Sequence, residues 1–157
     1  MSEIVTLGLA QPHEADRIAR LSRDLIERGL RWSWTPSRVA RHILDRHCSV
    51  VVARSDRRLV GFAIARFADD TAHLNLLAVL PQWRRQGCGR RLIDWLLATA
   101  DAAGVRRLDL ELRADNDEAR TFYESMDFKV TGERQRYYEG TLSALTMSRE
   151  LYASGGG

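Results

Sequence analysis

The segment from Leu74 to Leu97, LNLLAVLPQWRRQGCGRRLIDWLL, constrains the fold of this chain more than any other segment. The apolar run Leu74–Leu80 predicts a buried strand, and Pro81 ends it. A basic turn that contains glycines follows, and apolar residues then recur at the spacing of one helix face. Those residues are Leu92, Ile93, Leu96, Leu97 and Ala100. The segment is therefore predicted to fold as a strand, a turn and a helix.

The turn Arg84–Arg90 has the features of an anion site. A helix that begins there directs backbone N–H groups and the positive end of its dipole at one point. Gly87 and Gly89 carry no Cβ, so a ligand can come close to the backbone. The arginines of the turn add positive charge and forked donors. We expect a phosphate or pyrophosphate here; the alternative is an ordinary glycine-bearing loop with solvated arginines.

Two widespread phosphate-binding motifs do not fit this turn. A Walker A loop needs Lys followed by Ser or Thr, and a Rossmann fingerprint needs a third glycine. The spacing Arg84-x-x-Gly87-x-Gly89, after the strand end Leu77-Ala78-Val79-Leu80-Pro81, instead resembles the acetyl-CoA pyrophosphate loop of the GNAT N-acetyltransferases. The resemblance implies acetyl-CoA as cosubstrate and no metal. The residues implied in binding it are Leu77, Ala78, Val79, Arg84, Arg85, Gln86, Gly87, Cys88, Gly89, Arg90, Asn116 and Tyr123.

The resemblance also implies how the thioester is polarised. GNAT enzymes splay their central strand at a bulge, which frees a backbone N–H for the thioester oxygen. In this chain the bulge is expected near Leu77 to Val79. The other free backbone groups of that stretch would pair with the pantetheine arm as an added strand does.

The chain alternates between short strands and amphipathic helices in the order β-α-α-β-β-β-α-β-α-β-β. This is the order of the GNAT fold. That fold is α/β (α+β), with a mixed, mostly antiparallel central sheet of about six to seven strands flanked by four helices. With 157 residues and no visible boundary, residues 1–152 are expected to form a single domain, followed by a flexible tail at 153–157.

Three local predictions concern where elements begin. The first strand is expected at Glu3–Leu7. Thr35 is expected to cap a helix whose first residue is Pro36. Asp115 and Glu118 have the spacing of a capping box for a later helix.

The second half of the chain carries a narrower resemblance, to the RimI-type branch of the family, which acetylates protein N-terminal amines. The matching residues are Glu111-Leu112-Arg113-Ala114-Asp115-Asn116, then Ala119, Tyr123 and Phe128. Tyr137-Tyr138 also resembles the paired tyrosines that line the peptide site of these enzymes. We therefore expect an amine acceptor, either a protein N-terminus or a small molecule.

Two positions depart from the RimI-type pattern. Asp127 stands where a glycine is usual, and the fold should survive because Asp tolerates a left-handed backbone better than most residues. Leu142-Ser143-Ala144 stands where an acidic pair is expected after the tyrosines. That change concerns the acceptor, and favours small amines or permissive peptides.

The chemistry requires a general base. Alkylammonium and protein α-amino groups are both largely protonated at neutral pH, whereas the nucleophile must be neutral. By resemblance the base is Glu111, on the face of its strand opposite Leu108 and Leu110. His73 is the rival, since histidine titrates near neutral pH and other GNAT branches place a glutamate there. The alternative interpretation of Glu111, a solvated strand glutamate beside Arg113 without a catalytic role, also remains open.

Three further residues have both a catalytic and a structural interpretation. The phenol of Tyr123 is expected to protonate the leaving thiolate of CoA; its alternative is core packing. Asn116 is expected to hydrogen-bond the pantetheine arm; its alternative is helix capping. Cys88, at a helix N-terminus, is expected to fill the loop as a small residue instead of forming an acetyl-cysteine. The reaction is thus expected to be direct attack in a ternary complex.

Residues expected on the acceptor side are Trp32, Tyr137 and Tyr138. Trp32 and Trp34 lie in the connection between the first two helices, where two tryptophans either close the core or form a wall of the substrate pocket.

Charge and composition limit the partners. The net charge is +3, and of the 24 basic residues only Lys129 is a lysine, so arginine supplies the rest and is scattered through every segment. That pattern argues against a nucleic-acid arm. No apolar run is long enough to span a membrane, the first ten residues lack a secretory pattern, and the two cysteines lack metal spacing.

We therefore expect a cytoplasmic N-acetyltransferase, monomeric or homodimeric, with no nucleic-acid or membrane partner. Two alternatives remain open. One is a basic nucleic-acid-binding module. The other is a GNAT-fold sensor that binds CoA without turnover.

Overall fold

The computed structural model of the chain describes residues 4–138 and 142–151, with side chains at 4–135 and 143–151. It contains a seven-stranded sheet with helices on both faces. The helices are α1 (Ala15–Leu25), α2 (Pro36–Leu44), α3 (Cys88–Ala102) and α4 (Asp117–Ser125), and short 3-10 turns precede α1 and α3 at Pro12–Glu14 and Pro81–Trp83. The strands are β1 (Thr6–Leu9), β2 (Cys48–Ser55), β3 (Arg58–Phe67), β4 (Thr71–Val79), β5 (Arg107–Arg113), β6 (Lys129–Tyr138) and β7 (Leu142–Glu150).

The strands lie in the order β1-β2-β3-β4-β5-β7-β6. Every neighbouring pair is antiparallel except β4 and β5, which are parallel and joined through α3. A parallel pair needs such a crossover, whereas antiparallel neighbours can be joined by a tight turn. This architecture confirms the predicted fold class and the predicted order of elements.

Local signals place two junctions, the first of them as predicted. Thr35 caps α2, since its Oγ1 accepts the N–H of Arg38 at 3.4 Å, and Pro36 is the first helical residue. The β2–β3 hairpin turns through Asp56 and Arg57, both with positive φ. Two left-handed residues match the twist of a tight hairpin.

Two predicted boundaries are wrong. The first strand is Thr6–Leu9 instead of Glu3–Leu7, because its register is set by pairing with β2, Thr6 opposite Arg54 and Leu9 opposite Val51. The predicted capping box of α4 does not form either. Asn116 is the cap, with Oδ1 accepting the Ala119 N–H at 3.1 Å, while Asp115 pairs with Arg113.

The sheet separates two apolar clusters, and each covers one face. The α3–α4 cluster includes Leu92, Ile93, Leu96, Leu108, Leu110, Tyr123 and Phe128. The α1–α2 cluster includes Ile18, Ala19, Val39, Phe62, Ile64, Leu76 and Ala78. Each fully buried large side chain contributes about 1.5–3 kcal/mol, so both faces hold the central strands firmly. The strands that carry the candidate site are therefore fixed from both sides.

Candidate active site

The central strands β4 and β5 diverge in the middle of the sheet. They pair from Thr71 with Arg107 as far as Leu74 with Leu110, where the ladder ends. β4 nevertheless continues to Val79 and β5 to Arg113. Residues 75–79 and 111–113 thus form the two sides of an opening, here called the split. Along it, β4 presents to β5 backbone groups that this ladder does not use.

A bulge in β4 marks the start of the split. Opposite β3, Leu74 pairs with Ala65 and Leu76 pairs with Ile64, so Asn75 is the extra residue. The bulge therefore lies at Asn75, and the expectation of a bulge near Leu77 to Val79 is wrong. The reason is packing: a bulge shifts the alternation of a strand by one residue. Here it lets Leu74 and Leu76 enter opposite clusters.

The loop after β4 is held in shape by its own side chains. Arg84 Nε donates to the Val79 carbonyl at 3.0 Å, and Gln86 Nε2 donates to the Gln82 carbonyl at 3.0 Å. Arg90 Nη2 donates to Ser125 Oγ of α4 at 3.3 Å. All three side chains order the loop, and the two arginines also contribute positive charge.

The two loop glycines have different roles. Gly87 is the N-cap of α3 with φ of +81°, and a Cβ built on it would meet nothing within 4 Å. It is therefore glycine for its left-handed backbone, and it faces open space. Gly89 lies inside α3, where a Cβ would stand 3.4 Å from Phe122 Cζ. Gly89 thus makes room for α4, and the expectation that a ligand comes close to the backbone stays a prediction for both glycines.

The start of α3 has the geometry of an anion site. The first backbone i→i−4 bond runs from the Arg91 N–H to the Gly87 carbonyl at 3.0 Å. The N–H groups of Cys88, Gly89 and Arg90 precede it, at the positive end of a helix of 15 residues. Arg85, also with positive φ, completes the turn beside them. An open, electropositive cradle of backbone donors fits a pyrophosphate.

Cys88 is buried in the α3–α4 cluster at the same helix start. Burial raises the pKa of its thiol, against a smaller opposing effect of the Arg91 charge. A protonated, buried thiol is a poor nucleophile. The environment therefore supports the interpretation of Cys88 as a small residue that fills the loop.

Glu111 stands at the mouth of the split, one residue past the last β4–β5 pair. Because Leu108 and Leu110 enter the α3–α4 cluster, strand alternation directs Glu111 to the α1–α2 side. Its side chain is 25% exposed, and Oε1 lies 3.5 Å from Arg134 Nη1 of β6. A half-buried carboxylate beside an open strand edge is suitably placed to take a proton from an incoming amine.

His73 lies before the split. It is exposed and sits opposite Asp109 within the paired part of the β4–β5 ladder. Glu111 is two residues beyond Asp109 on the neighbouring strand, where the two strands have begun to separate. The geometry therefore favours Glu111 over His73 as the group next to the reacting atoms.

Tyr123 occupies the inner face of α4. Its ring is buried and makes edge-to-face contacts with Phe122 and Phe128, at centroid distances of 5.1 and 5.5 Å. Burial raises the pKa of its phenol well above the usual value. Tyr123 therefore keeps its proton throughout the neutral range and packs in the core, and donation of that proton to the CoA thiolate stays a prediction.

Asn116 sits at the start of the same helix. Its Oδ1 is engaged in capping, so the structural interpretation of this residue is the one that the geometry supports. A contact between Asn116 and the pantetheine arm stays a prediction.

The α1–α2 connection is organised by a buried carboxylate that sequence reasoning missed. Glu27 accepts hydrogen bonds from Ser22 Oγ at 2.7 Å, from the Ser33 N–H at 2.7 Å, from Ser33 Oγ at 2.9 Å and from the Trp34 N–H at 3.1 Å. Burial alone would raise the pKa of Glu27, but these donors outweigh it and hold the pKa below its usual range.

The two tryptophans of this connection both close the core. Trp34 is buried in the α1–α2 cluster, and the Arg38 guanidinium stacks 3.8 Å from its ring centroid. Trp32 is partly buried against the same cluster, and its Nε1 donates to the Ala19 carbonyl at 3.2 Å. A contact between Trp32 and the acceptor stays a prediction. Tyr137 and Tyr138 belong to β6, but their side chains lie outside the described part of the chain.

Asn75 is the second residue that sequence reasoning missed. Its Oδ1 is buried and is the one side-chain oxygen or nitrogen, among the described residues, that is buried without a hydrogen-bond partner. The signal was present in the sequence, since an amide interrupts the apolar run Leu74–Leu80 of the central strand. A polar residue in such a run requires a partner or a function.

The family of this chain is shown by its similarity to known proteins. A family model described as "Acetyltransferase (GNAT) domain" matches residues 27–151. The chain belongs to the GNAT acetyltransferase family. It is 34% identical over 154 residues to the N-alpha-acetyltransferase RimI of Mycobacterium tuberculosis. The aligned region covers 95% of this chain and 94% of that protein. It is 32% identical over 115 residues to the [ribosomal protein bS18]-alanine N-acetyltransferase of Escherichia coli, covering 73% of this chain and 77% of that protein.

The fold of this GNAT enzyme agrees with solved structures. The crystal structure of the ribosomal-protein-S18-alanine N-acetyltransferase from Escherichia coli superposes with a TM-score of 0.84 at 25% identity, covering 98% of this chain and 97% of that chain. These matches confirm the predicted family, its RimI-like resemblance and the enzyme class, an acetyl-CoA-dependent N-acetyltransferase. No helix in the described ranges combines the length and apolarity needed to cross a bilayer.

Proposed function

We propose that this GNAT enzyme acetylates the α-amine of a protein N-terminus, with Glu111 as general base and Tyr123 as general acid. The observation that carries the proposal is the position of Glu111, one residue past the end of the β4–β5 ladder, where the two central strands part. The two relatives described above, whose names specify α-amine or alanine acetylation, support the choice of acceptor.

The loop and the central strand bind acetyl-CoA in this proposal. The residues present fit a pyrophosphate, because Gly87 faces open space and the first N–H groups of α3 converge beside it. Leu77 to Val79 offer their backbone edge in the split to the pantetheine arm. When bound, acetyl-CoA supplies the activated acetyl group.

Proton handling falls to Glu111 at the split and to Tyr123 on α4, which belong to opposite faces of the sheet. Glu111 takes a proton from the incoming ammonium, directly or through water, so that the amine becomes nucleophilic. Tyr123, protonated and buried on α4, holds the proton that a departing thiolate requires. Arg134 beside Glu111 orients the carboxylate. The acetyl group then moves by direct attack, without an acetyl-cysteine at the buried Cys88.

A single peptide tests the acceptor. We expect a peptide with a free N-terminal alanine and one internal lysine to be acetylated on the α-amine, as located by fragment-ion mass spectrometry, with thiol release in equal amount. The same peptide with a blocked N-terminus is the control and should be inert. Acetylation of lysine only, or of small amines but no peptide, would contradict this proposal.

The alternatives predict different results in the same assay. A CoA-binding sensor would bind acetyl-CoA without releasing thiol from any amine. A nucleic-acid-binding module would show salt-dependent retention on heparin without affinity for acetyl-CoA. The proposed setting is the cytoplasm, where acetyl-CoA and newly made protein N-termini are both present. A monomer or a homodimer is compatible with a site built within one chain.

A further inference from the structure

The side chain of Asn75 stands at the bulge where β4 leaves β5. Its Oδ1 is buried and lacks a hydrogen-bond partner among the described residues. A buried acceptor without a partner destabilises the folded protein, so proteins retain very few of them. The position of this one, at the mouth of the split, points to a role in the reaction.

The alternation of β4 shows which face Asn75 occupies. Leu74 packs in the α3–α4 cluster, whereas Leu76 and Ala78 pack in the α1–α2 cluster. Leu74 and Leu76 point to opposite faces, so Asn75 shares a face with one of them, and continuing the alternation from Leu74 puts it on the α1–α2 side with Leu76. The bulge then resets the alternation before Leu76.

Glu111 points to the same side from the opposite strand. The register pairs His73 with Asp109 and Leu74 with Leu110, and Asn75 and Glu111 are the residues that directly follow this last pair on the two strands. The strands part at this step. A carboxamide on β4 and a carboxylate on β5 therefore flank the same opening, on the side away from the start of α3.

We propose that the Asn75 carboxamide is an acceptor-positioning group, an inference that rests on the proposed function. A primary ammonium has three N–H donors. Glu111 removes one proton, and Asn75 Oδ1 accepts a hydrogen bond from one that remains. Two fixed acceptors at one nitrogen orient its lone pair toward the split. The ligand class is a primary amine, which keeps two N–H groups after deprotonation, one of them for Asn75.

The decisive variant is Asn75→Leu, which keeps the branched shape and removes both polar atoms. We expect kcat/KM for the alanine peptide to fall by about tenfold or more, as for loss of a hydrogen bond to a charged group. We also expect unchanged acetyl-CoA affinity by calorimetry. The melting temperature should be equal or higher, because an unsatisfied buried oxygen has been removed.

Two further variants separate binding from structure. Asn75→Asp keeps an oxygen at the same place and should recover most of the acceptor kcat/KM lost in Asn75→Leu. Thr71→Val is the matched control. It changes a polar residue to an apolar isostere on the same strand and face, but within the paired ladder, and should leave kcat/KM unchanged.

Each other outcome overturns the inference. A lower melting temperature with unchanged acceptor kcat/KM in Asn75→Leu would make Asn75 a structural residue. Loss of acetyl-CoA affinity would assign the carboxamide to the cosubstrate. An active wild-type protein with an equally active Asn75→Leu variant would reject this inference and leave the proposed function standing. A wild-type protein that acetylates no peptide would reject both.

Discussion

In the proposed function, individual residues at the start of α3 decide whether a pyrophosphate can bind. Gly87→Val should sharply lower acetyl-CoA affinity, because a branched side chain would enter the space in front of the helix N–H groups. Calorimetry measures the affinity. The strain of placing valine at positive φ costs about 1–2 kcal/mol in addition.

Gly104→Val controls for that strain. Gly104 follows the other end of α3, with φ of +76° and nothing within 4 Å of a built Cβ. Both variants should lose similar stability, but only Gly87→Val should lose affinity. Equal affinities for acetyl-CoA in the two variants would remove the loop from the binding site.

Glu111 is tested by removing its proton affinity while keeping its shape. Glu111→Gln should lower kcat by about a hundred- to ten-thousand-fold. The loss should shrink at high pH, because more of the amine is then already neutral. His73→Asn, which alters the strand before the split, should change kcat little. Near wild-type turnover in Glu111→Gln together with a collapse in His73→Asn would make His73 the base.

Tyr123→Phe should show a different pH dependence from Glu111→Gln. Burial raises the phenol pKa, so the wild-type proton stays in place across the neutral and mildly basic range. The loss in kcat should therefore persist at high pH instead of shrinking. A pH–rate profile at saturating amine measures this. A defect in Tyr123→Phe that disappears as the pH rises would contradict its role as proton donor.

At the scale of elements, the α1–α2 connection depends on one buried carboxylate. Glu27→Gln replaces an acceptor of four hydrogen bonds by an amide that also donates, so its N–H groups face other donors. We expect a loss of about 1–3 kcal/mol in the free energy of unfolding near neutral pH, measured by urea denaturation. Asp24→Asn, which removes an exposed charge near the end of α1, should have little effect.

The same carboxylate gives a pH dependence of known sign. The pKa of Glu27 is lowered in the folded protein, so its contribution is present above the unfolded value of about 4.3 and is lost as pH falls through the folded value. The stability gap between wild type and Glu27→Gln should therefore narrow below about pH 4. A gap that widens in acid would mean that the carboxylate is not stabilised by its donors.

For the whole molecule, both apolar clusters share the central strands, so we propose that the chain unfolds as one domain in a single transition. Acetyl-CoA is proposed to bind on those strands and should then stabilise the whole fold. At about a hundred times its Kd the expected gain is about 2.7 kcal/mol, or roughly 5–10 °C in melting temperature. Calorimetric scans measure it; two separate transitions, or no shift, would contradict this prediction.

The sequence alone determined the parts of this protein that depend on neighbouring residues. The order of strands and helices follows from local periodicity, and the glycine turn before α3 follows from a few adjacent residues. Thr35 capped α2 as expected because capping is a contact within one turn. At α4, by contrast, Asp115 and Asn116 were both suitable caps, and Asn116 took that role while Asp115 paired with Arg113.

Only the tertiary structure decided where the chemistry converges. The split depends on the register of β4 against β5, which lie about 36 residues apart in the chain, and the bulge at Asn75 depends on the register of β4 against β3. Packing sets that register, because Leu74 and Leu76 must enter opposite clusters. A bulge costs only one residue and leaves no periodic signal, so the apolar run Leu74–Leu80 reads as an unbroken strand. Where β4 leaves β5 is therefore fixed by the two cores on either side of the sheet.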